Sequence, residues 1–202
     1  PEAVLFDPRS ATEEELAWLH TTEYVAAVKS LGSGLPSGID AARFGFSGQG
    51  DNPVYPNMFE AAALSTGGSL LAAEMVARGE VASAFNISGG LHHAAAGHAS
   101  GFCVFNDLGV VVEAFRHEYG ITRVGYLDID VHHGDGVFYA FEDDPDLIFA
   151  DVHQHSKTLY PGTGRTDEIG TGLSSGTKLN IELLPGAGDH EFAEVWPQVE
   201  GH

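Results

Sequence analysis

The 202-residue sequence contains a single cysteine, Cys103, which excludes an intrachain disulfide. Cations are also scarce: nine Lys and Arg, three of them Lys, face 29 Asp and Glu, for a formal net charge of −20. A surface of that sign repels nucleic acid and anionic membrane, so direct DNA or nucleosome binding by this segment is not expected, and cationic ligands are favoured. Long apolar runs are missing as well. Each is broken within a few residues by Gly, Ser or charge, so no signal peptide or spanning helix is expected, and with the lone thiol this points to the cytoplasm.

The hydrophobic share, 43%, suffices for a real core, and the length suits one ordinary domain. Thr12 to Glu15 reads as a capping box opening a helix that carries Leu16, Leu19, Tyr24, Val25 and Val28. Residues 32–56 are rich in Gly, Pro and Ser without a period, longer than a compact domain normally spends on a connection, and read as a functional loop rather than a linker. Asn57 with Glu60 marks a second helix start running to Arg78, and Gly67 and Gly68 inside it suggest close packing against a neighbour. Val81 to Ile87 is expected to be a strand, Asn106 or Asp107 to open a helix ending at Gly120, and Arg123 to begin the central strand. A brief helix at 137–141, strands at 146–152 and 178–183, and a helix from about His190 complete an alternation that builds a parallel sheet with helices on both faces.

The chemistry concentrates in Gly125 to Gly136, GYLDIDVHHGDG. After an apolar lead-in, Asp128, Asp130 and His132 recur at a spacing of two, which places them on one face if the segment is extended. In open parallel sheets ligands bind where strands run out, so Asp130 and His132 read as two ligands of a divalent metal. The plainer alternative is a strand-end turn with solvated side chains. Against it stand a second pair, His92 and His93, after Ser-Gly-Gly, and a further acid, Asp135.

The motifs SGGLHHA, ASGFCVFND, YLDIDVHHGDGV and LYPGTG resemble, in order and approximate spacing, those of the histone deacetylase family, which includes acetoin-utilisation proteins and acetylpolyamine amidohydrolases; the resemblance spans roughly Ala11 to Glu191. It implies an arginase-like three-layer α/β/α fold with a mostly parallel sheet, incomplete at the C-terminus, and hydrolysis of an acetyl amide to acetate and a free amine. On this resemblance residues 1–202 form one partial catalytic domain. Asp130 and His132 correspond to two of three zinc ligands, and His92 and His93 to the paired active-site histidines, with Asp128 the partner of His92, Asp135 that of His93, and His93 the general base and then acid. Gly101, Phe102 and Tyr160 match the walls of a channel for an extended aliphatic stem, although core packing is an equal alternative for each aromatic. Asp51 matches a rim acid, and is otherwise a turn former before Asn52-Pro53. The family also binds potassium, which would here use Asp128, the backbone of Asp130 and His132, and Asp151 with Val152; Asp151 replaces a serine common in eukaryotic members.

The family's third zinc ligand and its transition-state tyrosine have no candidate in these 202 residues, so the segment alone is expected to be inactive while a longer parent is a deacetylase. A binuclear manganese ureohydrolase of the same fold needs Asp-x-His-x-Asp, and Gly134 stands where its second acid belongs. A non-catalytic chain that binds an acetylated ligand is the third reading. Acetyl-lysine, acetylpolyamines and other acetylated amines all fit a channel for a methylene stem, and the long loop is where a second copy of the chain could narrow its entrance. The charge balance, finally, suits a high-salt cytoplasm in which screening relieves self-repulsion. It predicts that molar salt raises the midpoint of thermal unfolding; a midpoint indifferent to salt would end that idea.

Overall fold

The protein is described here by a computed structural model covering residues 3–202. It divides into two compact units, one up to Gly120 and one from Ile121 onward. The first is helical, with α1 (Glu13–Leu16), α2 (Thr22–Gly32), α3 (Met58–Ala77) and α4 (Asp107–Tyr119). The capping box forms as expected, the Thr12 hydroxyl accepting from the Glu15 amide at 3.1 Å and the Glu15 carboxylate from the Thr12 amide at 2.7 Å. The single helix expected from it does not. The Thr21 amide donates to the Ala96 carbonyl at 2.9 Å instead of closing a helical turn, and the Thr21 hydroxyl caps a new helix by accepting from Tyr24.

α3 and α4 match their expected bounds within a residue or two, although Asn57 sits in the left-handed region and makes no side-chain cap. Gly67 is needed for contact, since a Cβ there would run into the Arg9 carbonyl of the N-terminal segment, whose Ala11 amide donates to Ala63 on α3 at 2.8 Å. The core gathers Leu16, Tyr24, Val28, Met58, Phe105 and Val110. Phe44 and Phe46 of the long loop are buried in it too, beside Tyr24, so that loop is a fastened part of the unit. Each such side chain contributes roughly 1.5–3 kcal/mol, against about 0–1 kcal/mol for exposed pairs such as Lys29–Glu13 or Arg43–Glu23, so apolar burial holds this unit. The strand expected over 81–87 is absent. Phe85 and Ile87 are exposed, and none of the described strands pairs with the segment, which leaves apolar sequence without the ladder a strand requires.

The second unit comprises β1 (Val124–Asp128), α5 (Asp135–Ala140), β2 (Leu147–Gln154), β3 (Lys178–Leu183) and α6 (Asp189–Gly201). The strands lie in the order β1-β2-β3 and both pairings are parallel, so the α/β class holds. The strand expected to be central, β1, is at the edge of this three-stranded order, and β2, buried along nearly its whole length, is in the middle. The register sets Asp128 opposite Asp151. No helix among the described residues is long and apolar enough to cross a membrane.

His20 ties the first unit together. Its Nδ1 faces the Ala95 carbonyl at 3.1 Å while Nε2 accepts from the Asn106 amide at 2.9 Å, which fixes the neutral Nδ1–H tautomer. Burial pushes its pKa down to about 4 from an ordinary 6.5. The unfolded chain therefore takes up a proton before the folded chain does, and stability declines as pH falls from about 6.5 toward 4, by about 3 kcal/mol in total. Urea unfolding across that range should show the decline and His20→Gln should flatten it; an equal slope in the variant would refute the assignment.

Candidate active site

The turn that carries the histidine pair is built around a buried carboxylate. Asp107, the first residue of α4, accepts from the Leu91 amide at 2.8 Å, the Gly90 amide at 3.2 Å and the Ser69 hydroxyl. A fully buried carboxylate must collect donors, and the start of a helix suits its charge. Beside it Asn106 caps α4 through the Gly109 amide and gives its side-chain amide to the Ala94 carbonyl at 3.0 Å. His92 and His93 leave this frame buried, their Nε2 atoms 3.1 Å apart. At that separation one ring supplies the hydrogen and the other accepts it.

Gly101 lies directly against His93. Its φ of 50° is in the left-handed region, and a Cβ there would strike the His93 ring. The turn is closed by Ser100 and Cys103, which exchange backbone hydrogen bonds at 3.1 and 2.8 Å. Phe102 follows at φ 67°, with 76% of its surface exposed. A bulky residue held in that conformation and offered to solvent is not a core residue, so the packing alternative does not apply to it. Asp51 is exposed in the loop beside Asn52, whose carbonyl accepts from Ser47 at 2.9 Å.

In the second unit the extended run expected through Asp128, Asp130 and His132 stops at Asp128. Asp128 then accepts from the Asp130 amide at 3.0 Å and Asp130 from the His132 amide at 2.8 Å, two successive turns in which a carboxylate captures the amide two residues on. Their effect is convergence: His132 Nδ1 comes 2.9 Å from Asp130 Oδ1. Both side chains are partly exposed, whereas Asp128 is buried and accepts from the Tyr126 hydroxyl at 2.7 Å. Asp135 opens α5, and Tyr160 presents its ring to that of His132, centroids 6.3 Å apart at 66°.

Two positions took no part in the sequence reading or took a different one. Asp151 and His153, neighbours on one face of β2, are joined Oδ1 to Nδ1 at 2.7 Å with neither side chain exposed. Burial drives the Asp151 carboxyl above its ordinary range, with Asp128 adding to the effect of burial against the pull of His153 and the Gly134 amide. Burial would lower His153, but the bond to Asp151 prevails and holds it above the usual imidazole value. A repeated tripeptide was the available signal: Asp-Val-His occurs at 130–132 and again at 151–153. Asp107 was legible only as a helix opener, and Tyr126 only as part of an apolar run.

As donors, Asp130 and His132 suit zinc in kind, one oxygen and one nitrogen, and in spacing, since two ligands of a tetrahedral ion stand about 3.3 Å apart. They fall short in number. Among the described residues no group of three or more His, Cys, Asp or Glu side chains is arranged to hold a metal.

Comparison with known proteins agrees with the motifs. A family model described as "Histone deacetylase domain" matches residues 1–200. The acetoin utilization protein AcuC of Bacillus subtilis is 42% identical over 189 residues, covering 94% of this chain and 48% of that protein, and AcuC of Staphylococcus aureus (strain MSSA476) is 35% identical over 196 residues, covering 97% and 50%. Among solved structures, an HDAC homolog from Aquifex aeolicus superposes with a TM-score of 0.88 at 36% identity, covering 95% of this chain and 51% of that one. An HDAC homolog solved in complex with SAHA gives the same score and identity, with 96% and 52% covered. The chain belongs to the histone deacetylase family and has its arginase-like α/β fold. It spans about half the length of the curated relatives it matches.

The contact between Gly101 and His93 has a direct consequence. Gly101→Ala adds a left-handed alanine and a clash with the ring, and should lower unfolding free energy by about 1–3 kcal/mol in a urea titration. An unchanged midpoint would show that the turn does not bear on His93.

Proposed function

We propose that this chain carries the histidine pair and two of the zinc ligands of a deacetylase that hydrolyses an acetyl amide to acetate and a free amine. The observation that carries the reading is the buried His92–His93 pair with its Nε2 atoms 3.1 Å apart, because adjacent imidazoles sharing one hydrogen are equipped to accept a proton and return it. His93, released from its hydrogen bond to His92, takes a proton from the attacking water and returns it to the nitrogen of the leaving amine as the C–N bond breaks. His92 holds the neighbouring hydrogen position. Asp128 and Asp135 are the carboxylates assigned to fix the tautomers of His92 and His93, an assignment taken from the family pattern. The family pattern assigns Gly101, Phe102 and Tyr160 to the walls of a path for an aliphatic stem, and Asp51 to an acid that accepts hydrogen bonds at its rim.

Zinc in such a site supplies a Lewis acid for the amide carbonyl and a lowered pKa for water. Asp130 and His132 would hold it, with a third ligand from outside these residues. A potassium ion is in keeping with the charges beneath: buried Asp128 and Asp151 stand side by side, and a monovalent cation at their carboxylates and the Asp130, His132 and Val152 backbone would relieve their repulsion. The substrate class is an acetylated amine with a methylene stem, an acetyl-lysine peptide or an acetylpolyamine, and the charge of −20 favours one with a cationic tail. That a related HDAC homolog was solved with SAHA bound supports a small-ligand pocket in this family's fold. The lone thiol suits a cytoplasmic setting. The manganese ureohydrolase reading is weaker, because Gly134, which has no side chain to ligate a second ion, spends its amide on Asp151 at 2.8 Å.

Acetate release from acetyl-lysine peptide and acetylpolyamine tests this, with zinc supplied, for the 202-residue chain and for a polypeptide of its relatives' full length. The longer protein should turn over and lose at least about 100-fold on His93→Ala, and the short chain should be slower by a similar factor. Rapid turnover by the short chain would overturn the need for a further ligand, and none by the longer one would overturn the deacetylase reading.

A further inference from the structure

Apart from the potassium contact proposed above for Asp151, the buried Asp151–His153 pair has no assigned role, yet its contacts run to both loops that carry second-unit site residues. Asp151 Oδ2 accepts from the Gly134 amide at 2.8 Å, just past the Asp130–His132 turn. Asp151 Oδ1 meets His153 Nδ1 at 2.7 Å, and His153 Nε2 meets the Gly164 carbonyl at 2.8 Å. The carbonyl can only accept, so Nε2 carries a hydrogen and the ring is fixed in orientation at both nitrogens. Two further contacts lie alongside: the His133 ring packs on His153 with centroids 4.9 Å apart, and its Nδ1 meets the Thr163 hydroxyl at 2.8 Å. Gly164, at φ 80°, sits so close that any side chain would strike both rings. The Gln154 amide adds a bond to the Val131 carbonyl at 2.9 Å.

We propose that Asp151 and His153 are positioning residues: a clamp in the middle strand that fastens the 129–134 turn to the 160–164 loop, and so sets where His132 and Tyr160 stand relative to each other. Its bearing on zinc rests on the reading given under Proposed function, while the clamp itself rests on these contacts. The pair suits the task because a carboxylate and an imidazole two residues apart on a strand share a face, and β2, flanked on both sides, cannot drift. Four directed contacts from one rigid strand leave both loops little freedom.

The test compares the wild-type chain with Asp151→Leu, which removes the contacts of both the Gly134 amide and the His153 ring, and with Ile181→Val, a conservative core change in β3 that takes no polar contact from either loop. The readouts are amide hydrogen exchange and, on the polypeptide of its relatives' full length, zinc affinity by competition with a chromophoric chelator. Asp151→Leu should speed exchange at least tenfold in both 130–134 and 160–164 and weaken zinc by about 10- to 100-fold, whereas Ile181→Val should do neither selectively. Exchange that rises evenly across the sheet, or only at 151–153, would overturn the clamp. Should Asp151→Leu not fold, His153→Gln, which leaves Asp151 on Gly134 and frees Gly164, should loosen 160–164 selectively; protection there equal to wild type would overturn the clamp equally. If the longer polypeptide takes up no zinc, the metal reading fails and the exchange pattern still decides the clamp.

Discussion

Two carboxylates side by side at the ends of two parallel strands are the constraint from which the second unit's site follows. Parallel pairing in this register sets Asp128 against Asp151, both buried, where neither can be solvated and each raises the cost of the other's charge. Nearby donors are recruited to them: the Tyr126 hydroxyl and Asp130 amide to one, the Gly134 amide and His153 ring to the other. The chain after β1 therefore cannot continue straight. It bends through two carboxylate-capped turns, and that bend brings the Asp130 carboxylate and the His132 ring to one point.

The first unit solves the same problem with a different acid. Asp107 has no solvent and draws the amides of Gly90 and Leu91 onto itself, so the backbone preceding the histidine pair is held from below while Gly101 closes on His93 from the side. In the first unit the buried acid holds the two amides just before the histidine pair, and in the second the buried Asp128 holds the amide of Asp130. A purely apolar core could hold these elements together, but it would not dictate where a turn must place its next side chain.

Much of this was legible in the sequence because it is local. The Thr12 box, the bounds of α3 and α4, the strand at 178–183 and the four motifs depend on neighbours within a few positions, and periodicity reports them. What escaped depends on distant partners. Whether 81–87 becomes a strand is decided by a pairing partner, and whether the first helix runs on is decided by a carbonyl 75 residues away, at Ala96. The two Asp-Val-His tripeptides make the point most plainly: in the middle strand the acid and the imidazole are sealed and bind each other and the loops, while beyond the edge strand the same pair meets at 2.9 Å partly open to solvent. Composition cannot tell them apart, whereas position in the sheet can.

The long Gly- and Pro-rich segment shows how such a scaffold separates holding from choosing. Phe44 and Phe46 are sunk beside Tyr24, the Phe44 carbonyl takes the Ala99 amide, and Ser47 is pinned to Asn52. Between those last two residues only Gly48, Gln49, Gly50 and Asp51 remain, all exposed. The tip is thus insulated from the core by its own anchors. A lineage can lengthen it, shorten it or reverse its charge with little penalty to folding, so the tip can drift while the fold beneath stays as it is.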